Sequence, residues 1–536
     1  MTNTTQADNA PCAALDPDHA VLRAMIDRYA SERPDAPFVT FYQGETWDFT
    51  ELRARVRCRA ALLASVGVAQ DDTVLTFLGN GPDLLVTWFA INYLGAVYVP
   101  VNTALLGDPL AHILEDAGAA VMVAAPELAA RLADVPAGAV QTVLLTEDGA
   151  APDLPGLDCR ALVDPADDSG LPDLQRPIAP WDTQAIMYTS GTTGKAKGVL
   201  SSYTQLYTMG PDAFDDVRAD DRCLICGPIF HCGSTLYVYA MLARGLPIGM
   251  MAEFKTDRFW DAVRETGSTY CLLLGVMASF LLKSPATPRD RDHSLRKVFI
   301  VPFGEDGPAF AARFGTQVWT IYNMTEVASP LHAGPDITDK GLAGTPRDWW
   351  ECKVVDENDI DVPRGQVGEL VVRSQRPWAL MKGYHNAPEA TAQAMRNGWF
   401  HTGDSFRQDA DGRFFFVDRL KDVIRRRGEN ISSFALEGQV LLHPDVRECA
   451  AIAVPSEHGE DEVLICVTPV EGHSIDADAV LEDLTGRLPR FMVPRYLRVM
   501  DTLPKTASGK VQKHVMRAEG VTPDTVDRAA ARRRAG

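Results

Sequence analysis

The sequence predicts an α/β protein with two parts: a large N-terminal domain of several subdomains, with parallel sheets and a β-rich subdomain, and a small, mobile C-terminal α+β domain. Three observations predict it. The chain's 536 residues exceed what one core of ordinary domain size organises. Near-continuous apolar strands are followed by helices, the pattern of a parallel sheet covered on both faces. From Val367 onward the texture changes to short strands and turns.

Taken in order, Asp72 to Asn102 reads as a β-α-β unit. An apolar strand, Thr73 to Phe77, meets a turn at Gly79-Asn80-Gly81-Pro82, and an amphipathic helix then leads to a second strand at Ala96 to Pro100. The apolar run Leu84 to Val101 has nominal membrane-spanning length, but Thr87, Asn92, Gly95 and Pro100 divide it into a helix and a strand. Similar units recur at Gly118 to Ala124 and around Tyr270 to Leu282. Gly368 to Arg373 and Gly412 to Val417 are strands of the β-rich part. After a basic patch, Lys421 and Arg425 to Arg427, come a helix from Ser433, strands Cys449 to Val454 and Leu464 to Thr468, and a helix near Ala477 to Leu488. The expected divisions are a tail over 1–17, the N-terminal domain over 18–420, the C-terminal domain over 421–521 and a tail over 522–536.

Composition narrows the class. Apolar residues make up 46% and charged residues 23%, which excludes collagen-like and low-complexity chains. The formal charge of -20 repels nucleic acid and anionic lipid surfaces, so a polyanionic ligand must meet locally arranged donors. The polar start, Met1 to Ala20, lacks the basic and apolar regions of a signal peptide. Cysteines such as Cys271, Cys449 and Cys466 sit among apolar neighbours, as reduced thiols do. A cytoplasmic enzyme is expected.

The strongest local motif is Met187-Tyr-Thr-Ser-Gly-Thr-Thr-Gly-Lys-Ala-Lys-Gly198. A strand end runs into glycines, hydroxyl residues and two lysines, which together offer backbone N–H groups, hydroxyls and ammonium charges to a polyphosphate. A flexible linker has similar composition but would not directly follow the apolar strand Ala185 to Tyr188. The Walker spacing does not fit, because Gly191 to Gly194 is too short and Ala196 follows Lys195.

This loop resembles the phosphate loop of the adenylate-forming superfamily of acyl- and aryl-CoA synthetases, peptide-synthetase adenylation domains and beetle luciferases. The C-terminal half of the chain, including Gly428-Glu-Asn430, resembles most closely in texture the carnitine-CoA-ligase-like and aryl-CoA-ligase-like branches. Other signatures follow in the family's order: Tyr322-Asn-Met-Thr-Glu326, Gly398-Trp-Phe-His-Thr-Gly-Asp404, Asp418-Arg-Leu-Lys-Asp422 with Gly428-Glu-Asn430, and Pro504-Lys-Thr-Ala-Ser-Gly-Lys510. Five motifs in one order over nearly the whole chain are far more specific than any one.

The resemblance implies an ATP-dependent acid–thiol ligase that uses ATP, Mg2+ and coenzyme A. Attack of a carboxylate on the α-phosphorus of ATP joins two anions, so cations and hydrogen-bond donors aimed at the developing charge are the expected device. By the same resemblance Thr189, Ser190, Gly191, Thr192, Thr193, Gly194, Lys195 and Lys197 hold phosphates, and Glu326 ligates Mg2+. Thr325 donates its hydroxyl to a phosphate or acyl oxygen, Tyr322 stacks on adenine beside Asn323 and Gly304, and Asp404 and Arg419 hold the ribose. Lys510 bridges the carboxylate and the α-phosphate. Lys421 is the hinge that swings Lys510 out and brings Gly428 and Glu429 to the thiol tunnel, one site running two half-reactions. His231, in Pro228-Ile-Phe-His-Cys-Gly233, lies at the floor of the acyl site, where amino-acid-activating relatives carry an Asp.

The chain departs from the family at Asn323, where Gly is usual, and at Ala196, where Pro is usual. His112-x-x-x-Asp116 resembles a ligand pair but is expected by chance on an ordinary helix. Walls drawn from His231 to Tyr239, Tyr270 to Val276 and Val327 to His332 permit a medium or bulky hydrophobic acid. A carrier protein's phosphopantetheine arm stays open as an acceptor in place of CoA, as does a catalytically silent nucleotide binder. Lys510→Ala is expected to slow acid-dependent pyrophosphate release by about two to three orders of magnitude. It should spare thioester formation from supplied acyl-adenylate, and equal damage to both steps, measured separately, would remove the two-state role of Lys510.

Overall fold

The computed structural model describes residues 14–528 apart from 147–148, 150–151, 190–195, 215, 305, 336, 420–421, 427–428, 457–460 and 506–510. The run Leu84 to Val101 resolves into the helix Pro82–Tyr93 and the strand Val97–Pro100. Proline opens the helix, where no intrahelical N–H is needed. Asn92, the polar residue inside the run, is a buried rivet. Its amide donates to the carbonyls of Ala96 (3.1 Å) and Gln184 (2.8 Å) and accepts from Trp88 Nε1 (3.1 Å). Its polarity is therefore spent inside the protein.

That strand belongs to a seven-stranded sheet in the order Asp158–Ala161, Thr142–Leu145, Val121–Ala124, Thr73–Phe77, Val97–Pro100, Thr183–Thr189 and Lys197–Ser202. All neighbours pair in parallel except the last two, which form an antiparallel hairpin. Every residue of Val97–Pro100 and Val121–Ala124 is buried, as strands covered on both faces require.

A second sheet has thirteen strands and two halves. One half runs Pro37–Phe41, Ile248–Met250, Cys223–Ile225, Tyr270–Leu274, Lys297–Val301 and Gln317–Met324, all parallel, with Thr46–Asp48 antiparallel at its edge. The other half is antiparallel: Ala328–Ala333, Leu342–Pro346, Phe414–Arg419, Phe400–Gln408, Val367–Ser374 and Trp350–Val355. This is the β-rich part expected from Val367, and it begins earlier, at Ala328. Gln317–Met324 is the switch point, parallel to Lys297–Val301 and antiparallel to Ala328–Ala333.

The C-terminal part has a four-stranded sheet, Val446–Pro455, Asp461–Pro469, Tyr496–Val499 and Val526–Asp527, and the helices Ser433–Val440, Ala477–Arg487 and Lys513–Glu519. Apolar clusters cover both sheet faces, one around Leu436, Ile465 and Leu484, the other around Ile452, Leu464 and Met516. The two long strands exceed their apolar cores because flanking polar residues such as Glu448 and Thr468 also join the ladder. Ordered backbone also reaches into the stretches read as tails: Asp16 caps the short helix Pro17–Ala20, and Val526–Asp527 adds an edge strand. Among the described residues, no helix is long and apolar enough to cross a membrane.

At Gly344 two strands approach too closely for a side chain. A Cβ there would lie 1.9 Å from the His332 carbonyl oxygen, and φ is +116°. Gly344→Ala is expected to cost about 2–3 kcal/mol and to lower the midpoint of thermal unfolding by roughly 2–4 °C, read by calorimetry.

Candidate active site

The two ends of the glycine-rich loop are held as a hairpin. Thr189 pairs with Lys197 across the strands, and its hydroxyl donates to the Lys197 carbonyl at 3.4 Å. Ser190, Gly191, Thr192, Thr193, Gly194 and Lys195 lie outside the described residues. Gly198 admits close packing at the hairpin base, where a Cβ would stand 2.6 Å from Ile186 Cγ2. The helix Gly107–Ala117 grips the hairpin from outside. His112 Nε2 donates to the Ala196 carbonyl at 2.8 Å, and Asp116 accepts from the Tyr188 hydroxyl at 2.7 Å. The chance pair His112 and Asp116 thus braces the loop's base, a role invisible in their spacing.

Residues 381–385 tie this hairpin to the switch-point strand. Lys382 N–H donates to the Leu200 carbonyl, His385 N–H to that of Gly198, and Met381 N–H to that of Glu326. The Tyr384 hydroxyl donates to Glu326 Oε1 at 3.0 Å, while Lys197 Nζ stands 4.9 Å from the centre of the Tyr384 ring. Gln205 Nε2 donates to both the Thr325 and Glu326 carbonyls, at 2.9 and 3.0 Å, fixing the turn that carries them.

Glu326 is buried, and burial pushes its carboxyl above the ordinary glutamate range, against the opposing hydrogen bond from Tyr384. Its hard oxygen ligands suit Mg2+, which takes one or two carboxylates and completes its shell with phosphate oxygens and water. Among the described residues no group of three or more His, Cys, Asp or Glu could hold a metal.

On the other side of the turn, Thr325 Oγ1 lies 3.1 Å from Cys232 Sγ. His231 caps the helix Cys232–Ala243, its Nδ1 accepting from Gly233 N–H at 3.1 Å. The residue that touches Thr325 is thus Cys232, next in the chain after His231. Asn323 donates through Nδ2 to the Ala328 carbonyl (3.0 Å) and to Ser329 Oγ (3.1 Å).

Asp404 and Arg419 are cross-strand partners, Arg419 Nε lying 3.6 Å from Asp404 Oδ1. The Tyr322 hydroxyl donates to Asp404 Oδ2 at 2.7 Å, and its ring, 8% exposed, meets Phe406 edge-on with centroids 5.0 Å apart. Tyr322, the residue expected to stack on a base, braces the carboxylate of Asp404 through its hydroxyl. Glu369 supports the same turn, accepting from Gly403 N–H and from His401 Nδ1, each at 2.9 Å. Gly304 follows the strand next to Gln317–Met324, and a Cβ added to it would meet nothing within 4 Å.

Lys421, Gly428 and Lys510 lie outside the described residues, as does the side chain of Glu429, whose backbone pairs with Arg426. The Lys510 loop is bracketed by an antiparallel bridge between Lys505 and Val511. Tyr384, Gln205 and Glu369, which support the candidate site, carry no signal in the sequence; Cys232 enters the sequence reading only within the wall His231 to Tyr239, and His112 and Asp116 only as a chance match. Each meets its partner only through tertiary packing.

The family model for AMP-binding enzymes matches residues 26–385, and that for the AMP-binding enzyme C-terminal domain matches residues 435–510. A crotonobetaine/carnitine–CoA ligase from Salmonella paratyphi B is 28% identical over 527 residues, covering 92% of this chain and 98% of that protein. ATP-bound MatB from Rhodopseudomonas palustris superposes with a TM-score of 0.78 and 26% identity, covering 93% of this chain and 98% of that one. The anthranilate CoA ligase AuaEII, in complex with anthranoyl-AMP, superposes with a TM-score of 0.82 over 96% of this chain and 98% of that one. At 19% identity, this is a likeness of fold.

Because the Tyr384 hydroxyl stabilises the ionised form of a carboxyl already pushed up by burial, Tyr384→Phe should raise that carboxyl further. A raised carboxyl takes its proton sooner as pH falls. The acid limb of Mg2+-dependent ATP binding, followed by equilibrium dialysis, is therefore expected to move to higher pH in this variant; an unmoved limb would separate Tyr384 from Glu326.

Proposed function

The chain belongs to the AMP-binding enzyme family, and from that membership we propose that it is an AMP-forming acid–thiol ligase that joins a carboxylic acid to coenzyme A. The observation that carries this reading is a convergence at the switch point of the thirteen-stranded sheet. The hairpin base with Lys197, the Thr325–Glu326 turn and the Asp404–Arg419 pair all meet the strand Gln317–Met324 or its immediate neighbours. Ligands of open α/β sheets bind at such carboxyl ends. The activity of the carnitine–CoA ligase relatives supports the same reading.

In the first half-reaction an oxygen of the substrate carboxylate forms a bond to the α-phosphorus of ATP, and pyrophosphate leaves with the electrons of the broken P–O bond. The product is a mixed anhydride with AMP. The protein's contribution is positioning and charge. Asp404, aligned by Tyr322 and Arg419, accepts hydrogen bonds from the ribose hydroxyls. Lys197 and the hairpin face the phosphates, Glu326 would hold Mg2+, which neutralises charge on the phosphates, and Thr325 offers its hydroxyl to the reacting oxygens. Lys510, from the C-terminal part, adds the cation that lets two anions meet.

In the second half-reaction the sulfur of CoA bonds to the acyl carbon, AMP departs with the electron pair of the anhydride bond, and the thiol proton is released. Rotation of the C-terminal part about Lys421 withdraws Lys510 and brings the segment around Gly428 and Glu429 to the thiol.

The test is pyrophosphate release with ATP and Mg2+ across a panel of carboxylic acids, with and without CoA, the products read by mass. Acid-dependent pyrophosphate accompanied by an acyl-CoA thioester is expected. Pyrophosphate without thioester would move the acceptor to a carrier-protein arm, and silence on every acid would leave a nucleotide binder without ligase activity.

A further inference from the structure

The strands Val367–Ser374 and Phe400–Gln408 fall out of step beside Asp404. Glu369 faces Ser405 and Val371 faces His401, so the pairing advances further along one strand than along the other. The surplus, Thr402 to Asp404, is a bulge opposite Leu370, with Gly403 at φ +70°. A bulge re-aims a side chain, and the one presented here is Asp404, cross-strand partner of Arg419 and acceptor from the Tyr322 hydroxyl. It also strips backbone groups of their ladder partners, which then need others.

Side chains take over the missing bonds. Thr402 Oγ1 donates to the Leu370 carbonyl at 2.7 Å and accepts from Asp404 N–H at 3.2 Å. Gly403 N–H goes to Glu369 Oε1 at 2.9 Å. A flexible glutamate side chain holds such an amide well only when its second oxygen is also fixed, and His401 Nδ1 donates to that oxygen, Oε2, at 2.9 Å. The imidazole is itself set in a frame. Its side chain is 4% exposed, and Nε2 stands 3.7 Å from Asp359 Oδ1. Asp359 is tied down in turn by Asn397 Nδ2 at 2.5 Å and by Arg396 Nη2 at 3.2 Å. Arg396 also reaches Glu369 Oε2 at 3.4 Å, but this guanidinium is exposed, and such a contact is weak beside that of the buried imidazole.

We propose that His401 is a positioning residue of the nucleotide site, a role that rests on the reading of Asp404 as the acceptor for the ribose hydroxyls. Through Glu369 it holds the Gly403 amide, and the bulge so fixed presents the Asp404 carboxylate to the ribose. The histidine acts without touching the nucleotide. Once its Nδ1–H is removed, the Glu369 carboxylate turns toward water and Gly403 N–H loses its acceptor. The bulge, already short of ladder bonds, is then free to relax toward regular pairing and to carry Asp404 off its aim.

The test is titration calorimetry of the full chain with Mg2+ and either ATP or a dideoxy analogue that lacks both ribose hydroxyls, a measurement that reports whether or not an acid is activated. The wild type is expected to bind ATP more tightly than the analogue by about tenfold or more, the worth of hydrogen bonds to a charged acceptor. His401→Ala should shrink that preference by about fivefold or more and change the Kd of the analogue by less than about twofold. His401→Asn, whose amide can donate to Glu369 in place of Nδ1–H, should recover most of the preference. Glu369→Ala breaks the same link at its other end and should lower the preference as His401→Ala does, so it decides the question by itself if the histidine variant fails to fold. General loosening of the protein would weaken both nucleotides together and leave their ratio unmoved. That result, or an Asn variant as poor as the Ala variant, overturns the positioning role and leaves the ribose reading standing. A wild type that binds both nucleotides equally overturns the ribose reading of Asp404 and this proposal with it, while the ligase reading is decided separately by acid-dependent pyrophosphate release.

Discussion

The strand Gln317–Met324 has to satisfy two hydrogen-bond ladders of different geometry, parallel on one side and antiparallel on the other. Beyond Trp319 only the antiparallel ladder continues, and it ends at the turn that carries Thr325 and Glu326. The described residues of the candidate site are registered to this point. Gln205 fixes the turn's carbonyls, Tyr384 fixes its carboxylate, and Asp404 meets it through Tyr322. A shift of one residue in this strand would exchange the faces of all these side chains at once.

Charge is distributed with the same economy. A chain of net charge -20 does not attract polyanions as a whole. Around the Thr325–Glu326 turn, the described residues place local cations: Lys197 by the Tyr384 ring and Arg419 beside Asp404. Glu326 is compatible with such a site because its burial is relieved by Tyr384 and because a cation among phosphates would complete its neutralisation.

The fold was legible where hydrophobic period and punctuation agree. Thr73 to Phe77 and the division of the run from Leu84 could be read because apolar strands and a proline-led helix each leave a local signature. The motifs of the candidate site were legible because each is contiguous. What escaped is what depends on distant partners. Tyr384 lies 58 positions from Glu326, Gln205 120 from Thr325, Cys232 93 from Thr325, and His112 84 from Ala196. None of these residues carries a pattern of its own, and only the packing of helices onto the sheets brings them to their partners. Asn323 was visible as a departure, yet its contact with Cys232 was not, because the two lie 91 positions apart.

The bridge between Lys505 and Val511 has a mechanical meaning. It joins Lys505 to Val511, and Val511 packs with Leu503 and Met516 on one face of the C-terminal sheet. A chain of that length spans only about 3.3–3.6 Å per residue, so its reach is short. On the proposed reading of Lys510, any excursion longer than that tether is a displacement of the C-terminal sheet as a lever, paced by the contacts of that part of the chain rather than by one short segment.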